Sequence, residues 1–166
     1  MPRDTVPLDL RATPFDHPDA QRLIAAVQQV YVERYGGTDA THTDPAEFAA
    51  PHGLFLVGYA AGTPVAAGGW RVRDAEPADP VVRDGDAEIK RMYVVPEARG
   101  RSHARAVLAA IERSAAAPGR RRMILETGTR QPEALALYRS SGYVPIPGFG
   151  VYRDEPGSRC LAKIIA

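Results

Sequence analysis

The sequence predicts a mixed α/β or α+β protein built around one sheet. Three observations predict it. Apolar runs of strand length occur at 54–59, 64–72, 87–94 and 122–126. Segments after Asp16 and after Arg101 carry apolar residues at helical spacing, and polar stretches rich in Asp, Pro and Gly separate these runs. At 166 residues the chain suits a single domain over 1–166, long enough to bury one sizeable core.

Leu8-Asp9-Leu10-Arg11-Ala12 alternates and predicts a first strand. Asp16 stands where an N-cap belongs, with Pro18 in the first helical turn and Leu23, Ala26, Val27, Val30 and Tyr31 at helical spacing. Gly36-Gly37 ends that helix, and Asp44-Pro45-Ala46-Glu47-Phe48 opens a second, short one by the same logic. Residues 54–59 and 64–72, joined by Ala60-Ala61-Gly62-Thr63, predict a hairpin. A polar loop over 74–86 leads to a strand at 87–94 and a helix at 102–116, where Ala104, Val107, Leu108 and Ile111 share a face. A strand at 122–126, a helix at about 132–140 closed by Gly142, and strands at 143–144 and 159–165 complete the order βααβββαβαββ.

Composition narrows the function. A formal net charge of +1 argues against a general nucleic-acid binder, which carries a basic excess. Cys160 is the only cysteine, so an intramolecular disulfide and a cysteine metal cluster are both excluded. His17, His42, His52 and His103 show no HxxxH spacing, so no metal is expected. Met1–Pro7 lacks the apolar core of a signal peptide, and Gly62-Thr63-Pro64 breaks the most apolar stretch too early for a membrane span. The expectation is a cytoplasmic protein without a membrane partner.

Val94-Val95-Pro96-Glu97-Ala98-Arg99-Gly100-Arg101-Ser102-His103-Ala104 carries the chemistry. It lies between a strand and an apolar helix. The first backbone N–H groups of a helix have no partner and point along the axis with the positive end of the dipole. A bound di-anion satisfies them, provided small residues let it approach. Arg99 and Arg101 add guanidinium forks suited to phosphate. Neither GxGxxG nor GxxxxGK[ST] occurs, which disfavours other nucleotide-binding classes.

This segment resembles the acyl-CoA-binding motif of the GNAT superfamily of N-acetyltransferases. The family pattern is Arg or Gln, two residues, Gly, one residue, then Gly or Ala. Arg99 and Ala104 fill the ends, and Ser102 stands where the middle glycine usually is. Ala87-Glu88-Ile89-Lys90-Arg91-Met92-Tyr93-Val94 is similar to the family's fourth strand. Residues 132–143, with Tyr138 before Gly142-Tyr143, are similar to its later motif. The resemblance runs from about Leu54 to the C-terminus.

It implies a mainly antiparallel central sheet with helices on both faces and two splayed central strands. It implies direct attack of an amine on acetyl-CoA in a ternary complex, with no metal. An amine of pKa near 10.4 is unprotonated in only about one molecule in 2,500 at pH 7, so a positioned base is useful. Glu88 matches the strand glutamate that serves as base in the histone-modifying branch. The alternative for Glu88 is a sheet-surface ion pair with Lys90 or a nearby arginine. Strict alternation puts Glu88, Lys90, Met92 and Val94 on one face and Ile89, Arg91 and Tyr93 on the other. Glu126, at the end of the strand that would border the acceptor cleft, is the rival base. Tyr138 corresponds to the family's general acid, close to the CoA sulfur.

For the cofactor, the resemblance implies contacts from Met92, Tyr93 and Val94 through the strand, and from Arg99, Gly100, Arg101, Ser102, His103 and Ala104 through the loop. Gln131 and Tyr138 add contacts from the later motif. Met92 N–H is the contact for the acetyl carbonyl. Arg120-Arg121-Arg122 reads either as a contact for the 3′-phosphate or as a solvated turn, and Trp70 as core or substrate platform. Loops 74–86 and 145–158 would flank the acceptor. Phe149, Tyr152, Asp154 and Glu155 on the second of them favour a small cationic amine, with a homodimer allowed. Two alternatives remain: transfer to a protein lysine or N-terminus, and a non-catalytic acetyl-CoA-sensing module.

Overall fold

The computed structural model describes residues 6–166; Met1–Thr5, most of the stretch read above for a signal peptide, lies outside the described residues. Seven strands form one sheet in the order β1-β2-β3-β4-β5-β7-β6. They are β1 (Leu8–Ala12), β2 (Gly53–Ala60), β3 (Thr63–Arg73), β4 (Asp86–Val94), β5 (Arg122–Gly128), β6 (Val144–Ile146) and β7 (Ser158–Ile164). Helices α1 (Pro18–Tyr35), α2 (His103–Ala116) and α3 (Pro132–Ser140) connect them. All pairings are antiparallel except that between β4 and β5. No helix among the described residues is long and apolar enough to cross a membrane.

The sheet is covered on both faces, as alternation along β2 requires. Phe55, Val57 and Tyr59 pack with Leu23 and Ile24 of α1, whereas Leu56 packs with Val107, Leu108 and Ile111 of α2 and Tyr138 of α3. Phe15 stacks on Phe48 with centroids 4.5 Å apart, and Phe55 meets both rings edge-on. Trp70 is core: it is 3% exposed and its Nε1 donates to Ser114 Oγ at 2.8 Å.

Local signals differ from expectation at two helix starts. The N-cap of α1 is His17, not Asp16; its Nδ1 accepts from Asp19 N–H at 3.0 Å. Residues 45–48 form a single 3₁₀ turn, held by a capping box between Asp44 and Glu47.

Two features of β4 create the site. The first is the brevity of its pairing with β5, which covers only Asp86–Arg122, Ala87–Met123 and Glu88–Ile124. Beyond that rung the strands part. Arg122 fixes the paired end, sending Nε and Nη2 to the two carboxylate oxygens of Asp86 at 2.8 and 2.7 Å, with both residues buried. Arg120 bonds Asp74 at 2.9 Å nearby, so Arg120 and Arg122 of the basic run form a structural clamp at the opposite end of β4 from the loop that opens α2.

The second feature is a bulge. The β3–β4 register shifts between Ala67 and Gly69, and Arg91 sits there at φ +61°. The bulge resets the alternation and overturns the expected faces. Ile89, Met92 and Val94 lie together on the α2 side, while Lys90 and Arg91 both turn to the α1 side and bond Asp39. Gly68 permits this, because a Cβ there would stand 2.5 Å from Met92 Sδ.

Candidate active site

A cavity of about 810 Å³ fills the split between β4 and β5. Its walls include Met92, Tyr93 and Val94 of β4, Leu125 and Glu126 of β5, and Tyr138 of α3. The last turn of α1 closes over it. The Tyr35 hydroxyl occupies the space a Gly128 Cβ would fill, and Arg34 bonds Glu133 and the Arg130 carbonyl.

At one end the cavity meets the loop that opens α2. Val95 N–H donates to Val65 O, and a 3₁₀ turn over Pro96–Ala98 brings Arg99 round so that its Nε donates to Val94 O at 3.1 Å. Gly100 and Ser102 both have positive φ, +78° and +63°. Serine therefore holds a left-handed conformation that favours glycine. It makes no side-chain cap to the helix, so the first-turn N–H groups of α2 remain available to a ligand.

Arg99, Gly100, Ser102, His103 and Ala104 line the cavity. Arg101 is exposed and off its wall; Arg105, not singled out in the sequence, takes the place on the wall and is held by Ser140 and Ser141 Oγ. His103 is 7% exposed, and its Nε2 is buried without a hydrogen-bond partner among the described residues. Gln131 lines the cavity at the N-cap of α3.

Tyr138 is 6% exposed and meets Tyr143 edge-on at 5.6 Å between centroids. Burial pushes the Tyr138 phenol well above its ordinary value, with nearby Tyr31 adding to the shift. It keeps its proton across the physiological range.

The two glutamates sit in different surroundings. Glu88 is 4% exposed, and its Oε1 accepts from Arg71 Nε at 2.8 Å and Arg73 Nη1 at 3.0 Å. It does not line the large cavity. Glu126 lies two residues past the last β4–β5 rung, inside β5, which runs to Gly128 instead of ending at 126. Burial pushes its carboxyl up to about 7, with Glu88 and Asp39 adding to the shift and Lys90 opposing it. Cys160 Sγ approaches its Oε2 at 3.9 Å.

Asp39 was not legible as a site residue. Burial alone would raise its carboxyl; Lys90, bonded at 2.9 Å, and Arg91 hold it well below the usual range. It therefore ties the loop after α1 to β4. Tyr152 ties the same loop to the segment between β6 and β7, its hydroxyl accepting from Ala40 N–H at 2.6 Å.

A second cavity, about 300 Å³, lies beyond Glu126. It is flanked by Glu76, Ala78 and Asp79 of the loop before β4 and by Gly150, Val151 and Arg153 of the loop before β7. Glu126 lines both cavities, and Glu88 lines the second. Of the residues expected to favour a cationic acceptor, Tyr152 and Glu155 reach the large cavity. Phe149 does not: it is fully buried against Val82, Ile124 and Cys160.

A sheet parted at a parallel pair, helices on both faces and a helix start open to an anion at the parting define a mixed α/β protein built to hold a ligand in the parting. Residues 24–143 match the family model described as "Acetyltransferase (GNAT) family", and the chain belongs to that family. It is accordingly an acyltransferase with a coenzyme A thioester as cosubstrate. A curated relative, an IAA acetyltransferase from Azospirillum brasilense, is 38% identical over 115 residues, covering 69% of this chain and 70% of its own. Among solved structures, a Klebsiella pneumoniae protein assigned as an acyl-CoA N-acyltransferase is 25% identical with a TM-score of 0.77, covering 96% of this chain and 98% of its own. The PaiA N-acetyltransferase of Thermoplasma acidophilum, solved in complex with coenzyme A, shares the fold at 13% identity and a TM-score of 0.69, covering 95% of this chain and 99% of its own.

Proposed function

We propose that this protein transfers acetyl from acetyl-CoA to the primary amine of a small molecule, by direct attack in a ternary complex. The observation that carries the reading is Glu126: a carboxylate with a proton affinity near neutrality, standing where the large cavity meets the second one. A base with a pKa near the working pH combines availability with driving force. Glu88 is a weaker candidate, because two guanidiniums already hold its Oε1.

In this reading the helix start of α2, with Arg99 and Arg105, receives the pyrophosphate, and buried His103 Nε2 supplies a hydrogen bond nearby. The pantetheine runs along the unpaired stretch of β4, and Met92 N–H polarises the thioester carbonyl. Glu126 takes a proton from the ammonium. The freed nitrogen bonds the acetyl carbon, the carbon–sulfur bond breaks, and Tyr138 gives its proton to the departing thiolate. The nitrogen's surplus proton restores the Tyr138 hydroxyl, leaving a neutral amide and a thiol. Removing a donor at such an oxyanion costs about 3–4 kcal/mol of barrier elsewhere, so the carbonyl contact matters as much as the base.

The test is the variant Glu126→Gln. The expected result is a fall in kcat of about 10²–10⁴ with acetyl-CoA binding retained. An unchanged kcat assigns the base elsewhere. A protein that binds acetyl-CoA and acetylates no amine would be a sensing module instead.

A further inference from the structure

The second cavity is walled by ion pairs. Arg71 bonds Glu47 and Glu88, Arg73 bonds Glu88 and Glu76, and Asp79 lies within ion-pair reach of Arg73 and Arg153. On the wall itself Glu76, Asp79 and Glu88 match Arg71, Arg73 and Arg153 in number, and Glu126 is the one further carboxylate.

One carboxylate oxygen on this wall lacks a hydrogen-bond donor among the described residues. Asp79 is 6% exposed; its Oδ2 accepts from Gly150 N–H at 2.8 Å, but its Oδ1 is buried and accepts no hydrogen bond from any described residue. Arg153 Nη1 stands 3.5 Å from Oδ1 without hydrogen-bond geometry, and it donates instead to the Ala78 carbonyl at 3.1 Å. A buried carboxylate oxygen left without a donor is costly, and a ligand that supplies one recovers that cost on binding.

Gly150 connects the other oxygen of this carboxylate to the proposed base. Its N–H bonds Asp79, and a Cβ on it would lie 3.3 Å from Glu126 Oε2. Standard backbone dimensions then place Asp79 Oδ2 and Glu126 Oε2 at most about 9 Å apart. A short aliphatic chain spans that distance.

We propose that the second cavity holds the far end of the acceptor and that this end is a second ammonium group, bonded by Asp79 Oδ1. The acceptor class is a short aliphatic diamine, with one nitrogen at Glu126 to be acetylated and the other at Asp79. This rests on the acetyl-transfer reading above. The alternative far end, a carboxylate, would meet Arg71 and Arg73, already committed to Glu88, Glu76 and Glu47, and Arg153, where the Asp79 carboxylate would repel it.

The test compares 1,4-diaminobutane, n-butylamine, 4-aminobutanol and 4-aminobutanoate as acceptors for the full chain with acetyl-CoA. The expected kcat/KM for the diamine exceeds that for n-butylamine by at least about tenfold, the usual weight of a charged hydrogen bond. In Asp79→Asn that ratio falls towards one. The asparagine oxygen can still accept from Gly150 N–H, and thermal denaturation checks that the loop survives. Equal turnover of diamine and monoamine, or a preference for 4-aminobutanol or 4-aminobutanoate, overturns the diamine assignment while leaving acetyl transfer standing. If no amine is acetylated, the acetyl-transfer reading fails on its own. Calorimetry of 1,4-diaminobutane against n-butylamine on the CoA-loaded protein then still decides the subsite: a diamine preference supports it and equal binding overturns it.

Discussion

Glu88 pairs with Ile124 in the last rung between β4 and β5, and Glu126 stands two residues beyond, where the strands have parted. The same rung separates two chemistries. On its closed side Glu88 is fixed by Arg71 and Arg73; on its open side Glu126 faces two cavities with a pKa raised to about 7.

The first prediction concerns stability against pH. The folded state holds the Glu126 proton up to about pH 7, against an ordinary 4.5 for the carboxyl in the unfolded chain. Between those values the folded state binds more protons, so stability falls as pH rises through the window. Glu126→Gln imitates the protonated acid. Its melting temperature is expected to match wild type below the ordinary value and to exceed it increasingly up to about 7, then by a constant margin. A variant less stable than wild type at pH 8 would contradict the desolvated environment.

Ser102 carries a left-handed backbone at φ +63° in a loop where Gly100 does the same. That conformation costs a non-glycine residue roughly 1–2 kcal/mol, part of which glycine's greater unfolded freedom offsets. Ser102→Gly is expected to stabilise the protein by about 0.5–1 kcal/mol in urea denaturation and to tighten coenzyme A binding. A destabilised variant would mean that the hydroxyl makes an interaction worth more than the strain.

The buried Asp86–Arg122 pair is a stability element, remote from the loop that opens α2. Asp86→Ala leaves a guanidinium buried without its partner, and a loss of about 3–5 kcal/mol is expected from chemical denaturation. A loss below about 1 kcal/mol would show that the paired end of β4 and β5 is held by backbone alone.

Tyr138 is tested by removing one oxygen. Tyr138→Phe keeps the edge-on contact with Tyr143. The expected result is a fall in kcat of about 10²-fold, with little change in the KM for acetyl-CoA. Unchanged turnover would leave Tyr138 a core residue that lines the cavity without reacting.

Much of this was readable in the chain. The strand-loop-helix around Gly100 followed from periodicity and the helix bearing Tyr138 from its proline start and glycine cap, and both line one cavity. What failed was alternation across Arg91. Strand parity assumes an unbroken register, and the register is set by β3, more than twenty residues away in sequence. A signal existed: Gly68-Gly69 in the middle of an apolar strand marks a close approach or a bulge. Choosing between Glu88 and Glu126 needed the arginines of β3, whose partners no local pattern names. Asp39 and Asp79 lie in polar loops, where charge is ordinary until burial makes it otherwise.

The most direct measurement is the pH dependence of kcat/KM for amine acetylation in wild type and in Glu126→Gln. The account predicts an acidic limb in wild type with an apparent pKa of about 7, above which the rate is sustained by the ionised base. In the variant that limb disappears and the rate falls by about 10²–10⁴. A wild-type limb that persists unchanged in Glu126→Gln, with the rate intact, would contradict the assignment of Glu126 as the base.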